Sequence, residues 1–129
     1  MQEERRKSLR VNTSLVASYK RKCGEIVAAN LGNISVDGCY IKTEQPIKMG
    51  EQIDMEITFP DNSLLNLSGR VMYHRPLDGF GVLFSSPGNM ERSVLNKWID
   101  LLEARPDVQS SSVWNPALQQ YISQSESIS

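Results

Sequence analysis

The sequence predicts a mainly β domain, a small antiparallel barrel or sandwich with a helix behind it, and three observations carry that expectation. Across residues 11–84 apolar side chains recur with a period of two, the mark of strands with one buried and one wet face. Turn-forming residues punctuate the stretch at 33–38, 46–50 and 60–63. After Phe84 the period becomes 3.6, with Val94, Leu95, Trp98, Ile99 and Leu102 on a single stripe.

The clearest strand is 52–59, where Ile53, Met55, Ile57 and Phe59 alternate with Asp54, Glu56 and Thr58. Pro60-Asp61-Asn62-Ser63 turns the chain. The long return strand, 64–74, then places Leu65, Leu67, Val71 and Tyr73 on one face and Asn66, Ser68, Arg70 and His74 on the other. Gly69, in mid-strand, marks an expected bulge or bend. Earlier strands are expected at 13–19, 24–31 and 38–42, and the last at 80–84. The helix begins at Ser86-Pro87 or Asn89, uses Trp98 as its anchor and stops at Pro106. Beyond it, Asn115 and Pro116 are good cap and first-turn residues, and Trp114, Leu118, Tyr121 and Ile122 fall on one side. A further short amphipathic helix is expected in this tail, either docked on the domain or offered to a protein partner.

A chain of 129 residues is long enough for one core, giving a basic arm at 1–12, a domain at 13–104 and a polar tail at 105–129. The net charge of −1 conceals an asymmetry: residues 1–22 hold seven basic groups against two acidic, a local +5, and the remainder sums to −6. That balance argues against broad nucleic-acid binding and suits a small anion held at one place. No apolar run reaches membrane-spanning length, and no apolar segment follows the charged N-terminus, so a cytoplasmic protein without membrane insertion is expected. Cys23 and Cys39 lack C-x-x-C spacing and read as reduced, half-buried thiols, with no metal site. His74 is the sole histidine, and acidic residues scatter along wet strand faces without a paired motif; no enzyme activity and no cofactor are expected.

Two short segments carry the functional signal: Arg5-Arg6-Lys7-Ser8-Leu9-Arg10, then Asn33-Ile34-Ser35-Val36-Asp37-Gly38. Guanidinium forks pair with phosphate oxygens or the O6/N7 edge of guanine and stack on purine faces, so the first segment fits a guanine-containing diphosphate. Asn33 and Ser35 offer small polar groups to a guanine edge or ribose hydroxyl, and Gly38 lets a backbone come close. Taken singly, the first is a solvated basic tail and the second a turn whose glycine supplies positive φ. In this order and spacing, Arg6-x-x-x-Arg10 followed by Asn33-x-Ser35-x-x-Gly38 resembles the PilZ domain family, whose signature is R-x-x-x-R and then [D/N]-x-S-x-x-G. Gly69-Arg70-Val71, through Tyr73-His74-Arg75, to Gly79-Phe80-Gly81-Val82-Leu83-Phe84 is similar to that family's final hairpin, so the likeness covers residues 5 to about 104. Asn33 stands where Asp is also common, which removes one negative charge.

The resemblance selects the six-stranded antiparallel barrel and implies a stand-alone receptor for cyclic di-GMP, seated across the barrel. It implies Arg5, Arg6, Arg10, Asn33, Ser35 and Gly38 as ligand-binding residues, with His74 and Arg75 of the return strand beside them. In relatives an arginine just before R-x-x-x-R goes with a stacked ligand pair, and Arg5 holds that position here, implying two molecules per chain. Binding would order the arm and signal to an unidentified protein partner. Two other classes are a ligand-independent adaptor with this barrel and a small barrel that binds single-stranded nucleic acid. The second is disfavoured by acidic strands and a 7% aromatic share.

Overall fold

The computed structural model describes residues 9–107. The expected helix around Trp114 lies outside them, as do Arg5 and Arg6. Seven strands precede one helix: β1 (Val11–Asn12), β2 (Val16–Lys20), β3 (Ile26–Ile34), β4 (Gly38–Lys42), β5 (Gln52–Thr58), β6 (Leu64–Arg75), β7 (Gly79–Phe84) and α1 (Asn89–Ala104). All pairings are antiparallel, in the order β1-β3-β2-β5-β6-β7-β4, and β4 returns to β3. That last pairing closes a six-stranded barrel, with β1 as an extra strand on β3. Closure removes the free ladder edges that an open sheet of this size would expose.

The alternation in the sequence becomes the wall of this barrel. Ile53, Met55 and Ile57 point inward at 3% exposure or less, with Leu65, Leu67 and Val71 of β6 behind them. Inside, Tyr19 meets Phe80 edge to face, with centroids 5.2 Å apart. The apolar stripe of α1 covers the core with Leu95, Trp98, Ile99, Leu101 and Leu102, and Trp98 stacks on Phe59 at 4.8 Å and 3° between planes. The helix starts at Asn89, the later of the two expected positions, and ends at Ala104, ahead of Pro106. Away from α1's packing, Arg21 of the β2–β3 turn donates two hydrogen bonds, 3.1 and 3.0 Å, to the Glu51 carboxylate, which this partner holds below the usual carboxylate range.

Several local expectations need correction. The strand expected at 13–19 begins only at Val16, as β2; residues 13–15 break it from β1 ahead of them and stay hydrogen-bonded to β3 through Thr13 N to Gly32 O and Leu31 N to Leu15 O. Gly69 makes no bulge: it pairs regularly with Ile53 and Phe84, and its missing Cβ leaves space for Val82 Cγ1, which would lie 2.4 Å away. The extra residue of β6 is Met72, between Val71 and Tyr73. A bulge resets strand alternation, so Tyr73 leaves the inward row of Leu65, Leu67 and Val71 and is 45% exposed. The cysteines are not alike: Cys23 is exposed, whereas Cys39 is buried in the barrel, which pushes its thiol up to about 12.

Candidate functional site

The two halves of the sequence motif meet on the outside of the barrel at the C-terminal end of β3. Arg10 immediately precedes β1, whose Val11 and Asn12 pair with Ile34 and Asn33. That register sets Arg10 beside β3, and its exposed guanidinium Nη1 donates 2.8 Å to Asn33 Oδ1. A neutral amide does not cancel the guanidinium's positive charge, so this bond leaves the group able to attract phosphate.

The turn that follows is built by Ser35. Its hydroxyl accepts from the backbone N–H groups of Asp37 and Gly38, both at 3.2 Å, and donates to Gly38 O at 3.3 Å. The Ser35 backbone N–H also donates to Gly38 O, at 2.8 Å. At 1% exposure its hydroxyl holds its own turn together. Ser35→Ala should therefore lower stability by about 1–3 kcal/mol, the range for stranding buried donors. Equilibrium denaturation checks this, with ligand affinity of the folded protein expected to stay near wild type; normal stability with lost binding would return the hydroxyl to the ligand.

Of the two readings of Gly38, a close backbone approach and a positive φ, the fold uses the first, against another strand. It has no positive φ; instead a Cβ there would stand 2.1 Å from the carbonyl oxygen of Val82. Gly38 pairs with Leu83, and Phe84 N donates 2.8 Å to Asp37 O, so the turn is pressed against β7. The glycine lets two backbones come together, which holds Asn33 in place one residue pair from the turn.

Arg75, at the end of β6, joins a cluster that the sequence did not reveal. Its guanidinium carbon lies 5.6 Å from the Tyr40 ring centroid and 5.7 Å from that of Tyr73, within cation–π range. The two rings stack at 6.0 Å and 26°. The Tyr40 hydroxyl donates to the Asp78 carboxylate, and burial together with that carboxylate pushes the phenol up to about 12. Lys42 Nζ lies 4.0 Å from the other Asp78 oxygen. Asn33, Tyr40, Gly81 and Tyr73 are successive partners across β3, β4, β7 and β6, so one row of the sheet links this cluster to Arg10. His74 is separated from the group: strand alternation turns its half-buried side chain away from the face shared by Tyr73 and Arg75. The available signal was Gly79-Phe80-Gly81, two outward positions without side chains, over which aromatic rings from neighbouring strands can lie.

A surface groove of about 730 Å³ lies elsewhere, over β2, β5 and β6. Asp54, Glu56 and Glu91 line it against Lys20 alone, so its charge repels a diphosphate. Among the described residues no group of His, Cys, Asp and Glu is placed to hold a metal ion, and no helix is long and apolar enough to cross a membrane.

A barrel carrying Arg10 against Asn33 next to a Ser–Gly turn invites comparison with known families, and the PilZ domain model matches residues 4–101. The chain belongs to the PilZ domain family. The PilZ fold is shared with the PilZ domain of YcgR from Escherichia coli, solved with c-di-GMP, at 12% identity and a TM-score of 0.69, covering 76% of this chain and 91% of that one. The PilZ domain of CeSA from a cellulose-synthesizing bacterium is similar at 16% identity and a TM-score of 0.61, covering 74% and 98%. MrkH of K. pneumonia, solved as a c-di-GMP complex, is similar at 13% identity and a TM-score of 0.61, covering 77% of this PilZ chain and 53% of MrkH. No curated protein matches the sequence.

Proposed function

We propose that this PilZ protein is a receptor for cyclic di-GMP that acts by binding, without catalysing a reaction. The observation that carries the reading is the Arg10–Asn33 hydrogen bond, which joins the two separated motif segments at one place on the barrel wall. The c-di-GMP found with the PilZ domain of YcgR and with MrkH supports the choice of ligand. A phosphate offered to Arg10 presents a charged acceptor, a stronger partner for guanidinium than the Asn33 amide oxygen. Asn33, once released, has both its carbonyl and its NH₂ available to a guanine edge or a ribose hydroxyl. Arg5 and Arg6 supply the further cationic contacts, and the arm, ordered around the ligand, forms the surface that a protein partner reads.

Calorimetric titration with cyclic di-GMP tests this. Two phosphates per molecule make a stacked pair a concentration of four charges, so Arg5 is assigned to the capture of two ligands per chain. The expected result is saturation at two per chain, with Arg5→Leu shifting the ratio toward one. Saturation of the wild type at one refutes the pair and keeps the receptor; no heat of binding at any concentration refutes the receptor.

A further inference from the structure

Resting on that receptor reading, the geometry points to Tyr73, Arg75 and Asp78 as a shelf that stacks one guanine base and reads its edge. Four features place it there. The Tyr73 ring is 45% exposed on the outer wall and lies across Gly81, where a Cβ would meet its Cε1 at 2.2 Å. The Tyr40 ring lies beside Gly79 in the same way, with Cε2 at 2.8 Å from a Cβ there. Paired glycines thus let both rings lie against the barrel wall, with Tyr73 exposed and Tyr40 buried beside it. Arg75, leaning over both rings, extends their surface with a guanidinium plane, which stacks on purines as rings do.

The third feature is the carboxylate at the edge of the shelf. Asp78 is fixed from both sides, by the Tyr40 hydroxyl and by the tight turn in which Asp78 N donates 3.0 Å to Arg75 O. A fixed carboxylate accepts two parallel hydrogen bonds from the N1–H and N2–H groups of guanine, donors that adenine lacks on that edge. The fourth is continuity with the arginine: Asn33, Tyr40, Gly81 and Tyr73 are successive partners in one row, so the exposed ring of the shelf lies three strand steps, about 14 Å along the sheet, from the residue that holds Arg10.

Titrations of the wild type, Tyr73→Ala, Tyr73→Phe and Asp78→Asn with cyclic di-GMP and cyclic di-AMP, each with a melting curve, decide the matter. Tyr73→Ala is expected to lose about tenfold in affinity, the scale of one base–aromatic stack, and Tyr73→Phe to keep it. Asp78→Asn, which retains an acceptor for the Tyr40 hydroxyl, is expected to narrow the preference for the guanine ligand by about tenfold while melting like the wild type. If Tyr73→Ala melts early, the Asp78→Asn selectivity alone decides. Unchanged affinity and selectivity in these variants, with the wild type binding normally, overturns the shelf and leaves the receptor. A wild type that binds neither dinucleotide overturns both.

Discussion

Gly38→Val should cost about 3 kcal/mol or more of folding stability, because overpacking against an immovable backbone has no rotamer by which to relax. The added Cβ would stand 2.1 Å from Val82 O, so the β4–β7 ladder must part for any side chain to enter. That ladder is one of the six that close the barrel, and the loss reaches the site as well, since Asn33 sits on β3 opposite Tyr40 of β4. Urea denaturation reads the effect as a lowered midpoint, and ligand binding should fall with it. Gly50→Ala is the control: Gly50 has open space around it but φ of +83°, so it should lose only about 1 kcal/mol. A Gly38→Val protein of wild-type midpoint would show that the strands are not in contact as described.

Arg10→Ala should have the opposite signature, weakening cyclic di-GMP binding by about 2–4 kcal/mol, roughly thirtyfold to nearly a thousandfold, with stability nearly unchanged. The side chain is exposed, and its single described hydrogen bond, to a half-buried amide, lies at the surface, so folding depends little on it. Arg6→Ala should behave alike, as the other arginine of the motif. Arg10→Lys should recover little, because an ammonium cannot offer the planar fork that spans two oxygens. Wild-type affinity in Arg10→Ala would remove the arginine from the site.

The strands were legible wherever one face is dry and the other wet, as at 52–58, because burial imposes a period of two on the residues themselves. The same logic exposed the α1 stripe and its end before Pro106. Closure by β3–β4 could not be read from the sequence, since pairing partners are set by tertiary packing; it was supplied by the family resemblance. One error came from glycine. Gly69 looked like a bulge but serves Val82's packing, while the actual insertion, Met72, is an ordinary residue with no local mark. The turn-building bonds of Ser35 were not legible either, because a hydroxyl has the same sequence signature whether it serves the backbone or a solute. In the candidate site, Arg10 and Asn33 were legible through their motif, and the Tyr40–Tyr73–Arg75–Asp78 cluster was not, because a bulge sets Tyr73 outward and the cluster joins two segments distant in sequence, at Tyr40 and at 73–78.

The two-residue strand β1 acts as a tether whose length sets a concentration. Val11 and Asn12 are clamped to β3 opposite Ile34 and Asn33, so Arg10 is delivered to the site by the residue next to it. In the proposed complex, joined through so short a link, the arginine would meet a bound dinucleotide at an effective concentration in the millimolar range or above. The same arm supplied as a free peptide would have to be added at about that concentration to replace it, and lengthening the junction between Arg10 and Val11 with glycines would dilute it with no contact removed. Affinity in this protein is then partly a property of chain connectivity, adjustable by insertions that leave every binding residue intact.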